Sequence, residues 1–481
     1  METLKEKTAK GIFWGVLNGG TMQILNVVFG IVLARLLSPD DYAIVGVLAI
    51  FSSIATTLQS SGFESALVNL KKPTYNDYNS VFWFNVIVSS VLYVILFFAA
   101  PYIAQFYNEP RLTSLSRFLF LTIFVGSLGV SHHAYMVKNM MNKEITICSI
   151  AALACSGSVG IILAIKGYAF WSLAWQQMTY ISVLNICRYF FTPNFHSFHI
   201  DFTPVRRMFG YGVKLMITNI INNVNTNILT SVFAKYYPLS SVGYFSQAYK
   251  WNGMASLFIY NTFGQVAQPV LVSAVDDDER EVRIFRKMAR FIAFISFPVF
   301  LGLAMVSHEF LTTFLGSKWE ESATLLSVLC FGGALLPLHS LYQILVMSHG
   351  KSDIYMWLNV GVVVVVISMI IALHSFGMMA VVVFYSILQV VLWIAWHIVS
   401  HKLIGLRFRD ILLDIVPFFF ISLAVMTVVY FATSFIHVKP LLLCVRIISA
   451  AVLYYSVMKV LHVSILSECE KFILSKIKRN K

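Results

Sequence analysis

Residues 208–234 read MFGYGVKLMITNIINNVNTNILTSVFA, an apolar stretch that contains one lysine and five asparagines. Asn219, Asn223 and Asn227 recur at every fourth position and share one face of a helix, with Asn222 on its border. Lys214 precedes Asn219 by five residues, about 140° round a helix, so its long stem reaches that face from the flank. The next apolar run carries Gln247, Lys250 and Asn252, then Asn261, Gln265 and Gln268. Earlier, Ser53, Thr57, Ser60 and Glu64 form one polar stripe, and Asn18, Thr21 and Gln23 interrupt the first run. Amides exchange hydrogen bonds with hydroxyl-rich ligands, and lysines hold phosphate as compact point charges. Taken singly, an Asn or Ser among apolar residues serves as interhelical glue, at about 0.6–2 kcal/mol per contact. Taken together, Lys214, Lys250 and the Asn219–Asn227 face read as the lining of a cationic, polar cavity. Arg35 and Lys235 mark the outer ends of two equivalent hairpins, where snorkelling to the interface also accounts for each.

The elements that must position these groups are long apolar runs. Fourteen runs between residues 11 and 462 are long enough to cross a hydrocarbon core of about 30 Å as helices. The 481 residues are 58% hydrophobic and only 12% charged, against about 25% charged in soluble chains, and the mean hydropathy is +0.77. The chain is therefore an all-α polytopic membrane protein; the runs are too long for strands of a closed barrel. The amino-terminal METLKEKTAKGIFWG has the charge pattern of a signal peptide, but the apolar stretch runs on, and it reads as the first span.

A formal charge of +13 raises the question of nucleic acid, and its distribution answers it. With the amino terminus inside, 24 Lys and Arg fall on the cytoplasmic side and 8 outside, and Lys214, Lys250 and Lys459 lie within spans. Such an excess sets topology and attracts anionic lipid, with both termini cytoplasmic and no nucleic-acid partner. Six cysteines without a CxxC pair and twelve scattered histidines indicate no metal or disulfide framework. His132-His133 lacks a third ligand at regular spacing and reads as interfacial or pocket-lining polarity.

The chain also resembles itself. ARLLSPDDYAIVG at 34–46 lies over AKYYPLSSVGYFS at 234–246, IAQFY at 103–107 over LTTFL at 311–315, and Lys143 over Lys351. These offsets predict two pseudo-symmetric six-helix lobes, 1–195 and 196–404. Two extra helices follow over 405–463, then a basic amphipathic cytoplasmic tail over 464–481. Duplicated halves with a midplane site are the recurring plan of secondary transporters. Glu64 is the only carboxylate expected well within a span, and Asp40-Asp41 the caps of a following helix.

The residues KGIFWGVLNGGTMQILNVVFGIVLARLLSPDDYAIVGVLAIF, then LQSSGFESALV, resemble the amino-terminal hairpin of polysaccharide exporters. KGYAFWSLAWQQ at 166–177 is similar to their sixth span. The chain resembles the Wzx-type flippases, in the branch of colanic and teichuronic acid exporters, within the multidrug/oligosaccharidyl-lipid/polysaccharide superfamily. The resemblance implies a V-shaped pair of six-helix lobes around a cationic cavity in the bacterial cytoplasmic membrane. It implies alternating-access movement of undecaprenyl-diphosphate-linked oligosaccharide to the outer leaflet, and no catalytic residue or cofactor. Polysaccharide polymerase or export machinery would be its partner besides membrane lipids, and a proton or sodium gradient its drive, with Glu64 the acid offered for coupling. Lys214 and Lys250 are expected to take the diphosphate, and Asn219, Asn223, Asn227 and Gln265 the sugar hydroxyls. The alternatives are a multidrug or lipid II exporter of the same fold and a membrane glycan polymerase or glycosyltransferase. The first lacks the buried acids a cationic drug needs; the last lacks a sizeable outer loop for acid–base work.

Overall fold

The computed structural model describes residues 4–470 except 61, 195–196, 199–200 and 469; side chains at 4–13, 16, 59–60, 207, 209–215 and 265 also lie outside the description. Residues 471–481 of the expected amphipathic tail therefore lie outside it. The described residues are helical almost throughout and include no strand. They form two compact units, 1–243 and 244–481.

The first unit contains α1 (Leu4–Leu36), α2 (Pro39–Ser60), α3 (Phe63–Asn69), α4 (Tyr75–Phe106) and α5 (Arg111–Ser127). It continues with α6 (Val130–Lys138), α7 (Asn142–Ile165), α8 (Trp171–Phe191) and α9 (Thr203–Tyr236). The second begins within α10 (Leu239–Val272) and holds α11 (Asp278–Phe314), α12 (Glu320–Gly333), α13 (Leu336–Ser348) and α14 (Ser352–Leu373). It ends with α15 (Met378–Ile404), α16 (Phe408–Ala432) and α17 (Lys439–Val460).

Short polar loops start these helices by capping. At α2, Ser38 Oγ accepts from Asp41 N at 3.2 Å, while Ser38 N donates back to Asp41 Oδ2 at 2.9 Å. Thr74 and Asp77 repeat that reciprocal box at α4. Each box satisfies donors that would otherwise be orphaned where the chain re-enters lipid. Asp40 and Asp41 thus belong to the first turn of α2 itself.

Among the described residues, ten segments are long and apolar enough to cross a membrane, or eleven if α5 and α6, bent by 43°, are counted as one. The expected fourteen exceed this by the three helices α8, α9 and α10. These are 21, 34 and 34 residues long, so length is not what they lack. Their Asn, Gln, Lys and Ser residues lower their hydropathy, which means they need neighbours other than lipid chains. At the other extreme α11 has 37 residues, about 55 Å of helix. That exceeds a whole bilayer with its headgroups, so its charged amino end projects.

Two ion-pair clusters strap α16 and α17 to α11 within the second unit. Arg286 Nε lies 2.6 Å from Asp414 Oδ2, and Arg290 Nε lies 3.7 Å from Asp414 Oδ1. Arg446 Nη1 lies 2.9 Å from Glu309 Oε1, its Nε donates to Thr433 Oγ1 at 3.2 Å, and its Cζ lies 4.5 Å from the Tyr430 ring centre. Arg446 is buried within α17, and besides the half-buried Glu64 the described residues include the buried carboxylates Glu309 in α11 and Asp414 in α16. Ion pairing makes each of these charges tolerable inside a helix packed on helices.

Removing one partner leaves the other charge stranded. Glu309→Ala should lower stability by about 3–5 kcal/mol, whereas Glu309→Leu with Arg446→Met should recover most of the loss. Thermal unfolding of the nanodisc-embedded protein reads both.

Candidate functional site

The polar groups of the first unit form two clusters, each fixed by helix breaks and local packing. The first lies where α9 meets α2. Asn223 Nδ2 donates to Thr57 Oγ1 at 2.6 Å, and Asn227 Nδ2 donates to Ser53 Oγ at 3.3 Å and to Asn223 O at 2.9 Å. The two hydroxyls donate in turn to their own helix, Thr57 to Ser53 O at 2.8 Å and Ser53 to Ile50 O at 3.0 Å. Two stripes legible separately in the sequence thus face each other. Asn219, one turn earlier, is exposed. The side chain of Lys214 lies outside the described residues, as does that of Gln265.

The second cluster gathers α3, α6 and α8. Gly62 adopts φ 70°, a left-handed conformation that a Cβ disfavours, and α3 begins directly after it. Ser53, Thr57 and Glu64 therefore do not lie on one continuous helix, contrary to the expected stripe: the break re-aims Glu64. Phe63 and Leu67 anchor α3 among Tyr78, Val81, Ala134, Val205 and Met208. Lys138 Nζ caps its carboxyl end at Val68 O, 2.8 Å away. So held, Glu64 Oε1 meets His133 Nδ1 at 2.6 Å, with Arg188 of α8 within electrostatic reach. His132, fully buried, bonds Thr192 Oγ1 and lies against the Tyr189 ring at 3.9 Å. Thr192 spends its proton on Arg188 O at 2.7 Å, so His132 Nδ1 is the donor in that bond.

In the second unit Lys250 is half-buried on α10 and has no hydrogen bond or ion pair among the described residues. Its neighbours Gln247 and Asn252 are buried, whereas Asn261 and Gln268 are exposed. A cavity of ≈ 430 Å³ lies among α11, α12, α15 and α16, lined by Phe297, Phe331, Trp393, Ile415 and Phe419 among others, and suits an apolar chain. Among the described residues no group of His, Cys, Asp and Glu could hold a metal ion. Lys235, expected at an outer mouth, donates to Phe106 O at 2.7 Å with its ammonium 4.4 Å from the Phe106 ring, and so closes the end of α4.

His133 and Arg188 were missed as partners of Glu64. Sixty-nine residues separate His133 from Glu64, and no periodicity links them. The available signal was chemical: a carboxylate buried in lipid requires a cationic or donor partner, and a double histidine in a neighbouring run supplies one.

Residues 32–324 match the model of a family described as polysaccharide biosynthesis protein. The chain belongs to that family. It is 25% identical over 436 residues to lipopolysaccharide biosynthesis protein WzxC of Escherichia coli, covering 89% of this chain and 88% of that protein. It is 22% identical to succinoglycan biosynthesis transport protein ExoT of Rhizobium meliloti, covering 74% and 72%. The fold is that of a structure titled lipid II flippase MurJ, inward closed conformation, with TM-score 0.75 and 14% identity over 94% of this chain and 99% of that one. Relatives of this family and fold thus include a protein named for transport and a structure titled as a flippase.

Gly129, at the bend between α5 and α6, shows how tightly the second cluster is built. A Cβ there would stand 1.9 Å from Asn185 Oδ1 and 3.2 Å from Arg188 Nη1. Gly129→Ala should displace the Asn185 amide from Val125 O and lower the thermal unfolding temperature by several degrees. Gly361→Ala, which meets nothing within 4 Å, is the control.

Proposed function

We propose that this protein is a flippase that carries an undecaprenyl-diphosphate-linked oligosaccharide from the inner to the outer leaflet of the bacterial cytoplasmic membrane. It works by alternating access and delivers the oligosaccharide to polysaccharide polymerisation or export machinery. One observation supports this most: Lys250 is a half-buried cation of a membrane-length helix without a partner among the described residues. An unpaired ammonium in such a place is costly and becomes favourable when an anion enters. A lipid diphosphate supplies that anion, and a lipophilic cation does not. Lys214 joins Lys250 at the diphosphate, and Asn219, Asn223, Asn227 and Gln265 take sugar hydroxyls. All fourteen long rods cross the membrane in this reading, α8 to α10 included, with both termini inside as the basic excess requires.

Transport of charge and hydrated sugar against lipid needs a drive. Glu64, hydrogen-bonded to His133 at 2.6 Å, is the acid proposed to exchange a proton for that purpose. A carboxylate–imidazole pair hands on protons readily, whereas an imidazole beside the carboxylate leaves a poor oxygen cage for sodium. The likeness to a lipid II flippase is one of fold and does not make lipid II the cargo.

In a strain deprived of its own flippase, the wild-type chain should restore surface polysaccharide. Lys250→Ala should cut it about ten- to a hundred-fold, the worth of a charge-assisted contact, at unchanged membrane abundance, while Lys250→Arg retains part. Unchanged polysaccharide in both Lys214→Ala and Lys250→Ala contradicts the cationic cavity. Rescue of a strain depleted of its lipid II flippase would instead assign lipid II as the cargo. A separate expectation concerns coupling: Glu64→Gln should remove the response of transport rate to an imposed pH difference while leaving any gradient-independent exchange.

A further inference from the structure

Glu281 is the fourth residue of α11, in the amino end that projects from the bilayer, and its side chain is fully buried. Its two oxygens meet a single nitrogen, His349 Nε2, at 3.1 and 3.0 Å. Among the described residues the carboxyl has no other hydrogen bond or ion pair. We propose that Glu281 and His349 form a proton-operated clasp between α11 and the end of α13, closed while the pair holds a proton and released as the pH rises. That the clasp faces the cytoplasm rests on the inside placing of both termini; the clasp itself does not depend on the flippase reading.

Both partners are fixed by the chain ends that carry them. Asp277 Oδ1 accepts from Arg280 N at 3.0 Å and Asp277 O from Glu281 N at 2.9 Å, which sets Glu281 in the first turn of α11. His349 directly follows α13, where Gly350 at φ 68° and a bond from Lys351 N to Val346 O at 3.2 Å turn the chain. Packing between these helices has its own anchor one turn further along α11, where the Phe285 and Tyr342 rings meet edge to face at 4.9 Å. The first unit has a joint of the same kind: Tyr78, likewise the fourth residue of its helix α4, meets the Tyr135 ring of α6 at 5.5 Å. Aromatic contact thus suffices to hold such a joint. A buried ion pair is often no stronger than well-packed apolar side chains of similar volume, and what it adds here is a response to protons.

A carboxylate without water needs a positive partner. With one proton shared, the pair is neutral, as imidazolium and carboxylate or as imidazole and carboxylic acid. Without that proton a full negative charge is left buried. Burial lifts the Glu281 carboxyl above the usual carboxylate range, against the opposing charge and hydrogen bond of His349, and Asp278 adds to the lift. His349 at the end of α13 and Asp278 on α11 itself are the charged groups that reach it among the described residues. Separation returns the carboxyl to water and to its ordinary range, so the closed form binds the proton more tightly than the open one. The clasp is therefore favoured at low pH. Its advantage falls as the pH rises from the ordinary carboxyl value through the raised one, by at most about ten-fold per pH unit for a single proton.

Arg283 on α11 and Ser352 on α14 are exposed on either side of the clasp. Spin labels on Arg283→Cys/Ser352→Cys, with native cysteines replaced by serine, report the separation in nanodiscs by pulsed dipolar spectroscopy. The ratio of long to short separations should rise from about pH 5 to about pH 9, by no more than about ten-fold per unit. Glu281→Gln keeps an acceptor for His349 without a charge, and should hold the short separation across that range. A distribution that does not change with pH in folded, monodisperse parent protein overturns the clasp, whatever the variant does. A pH response that survives Glu281→Gln undiminished overturns it as well. Neither outcome involves transport, so failure here leaves the flippase reading to its own tests.

Discussion

Everything in this protein answers to one constraint: within a bilayer a polar group has no water to turn to. The constraint explains the capping boxes at Ser38–Asp41 and Thr74–Asp77, which close the orphan donors where helices re-enter. It explains why Arg446 and Glu309, or Arg286 and Asp414, occur only in contact. Lys250, half-buried on α10, has no such partner among the described residues.

The three helices that fall short on apolarity follow from the same constraint. A helix of 34 residues with amides along one face is costly against lipid alone, so α9 and α10 need polar or protein neighbours on those faces. Within the second unit, α11, α16 and α17 are joined instead by ion pairs.

Much of this could be read from the sequence because apolar runs, charge asymmetry and family-like hairpins are local or additive signals. The asparagine face of α9 was legible for that reason: i, i+4, i+8 spacing fixes a face whatever lies opposite. What lay opposite was not legible, since Ser53 and Thr57 stand well over a hundred residues away along the chain. Glu64 was found as an acid within an apolar run but set on one stripe with Ser53 and Thr57, because the left-handed Gly62 interrupts a run that hydropathy treats as unbroken. His133 was legible only as interfacial or pocket-lining polarity, because the carboxylate it bonds lies sixty-nine residues away along the chain.

The central claim is that this chain moves a lipid-linked diphosphate oligosaccharide between leaflets. Its most direct measurement is a leaflet assay: purified protein in proteoliposomes, undecaprenyl-diphosphate-linked oligosaccharide loaded on one side, and its appearance on the other followed with a membrane-impermeant glycosidase. The account predicts transfer well above protein-free vesicles and faster under an imposed proton gradient. Transfer no faster than in protein-free vesicles, under either a proton or a sodium gradient, would contradict it.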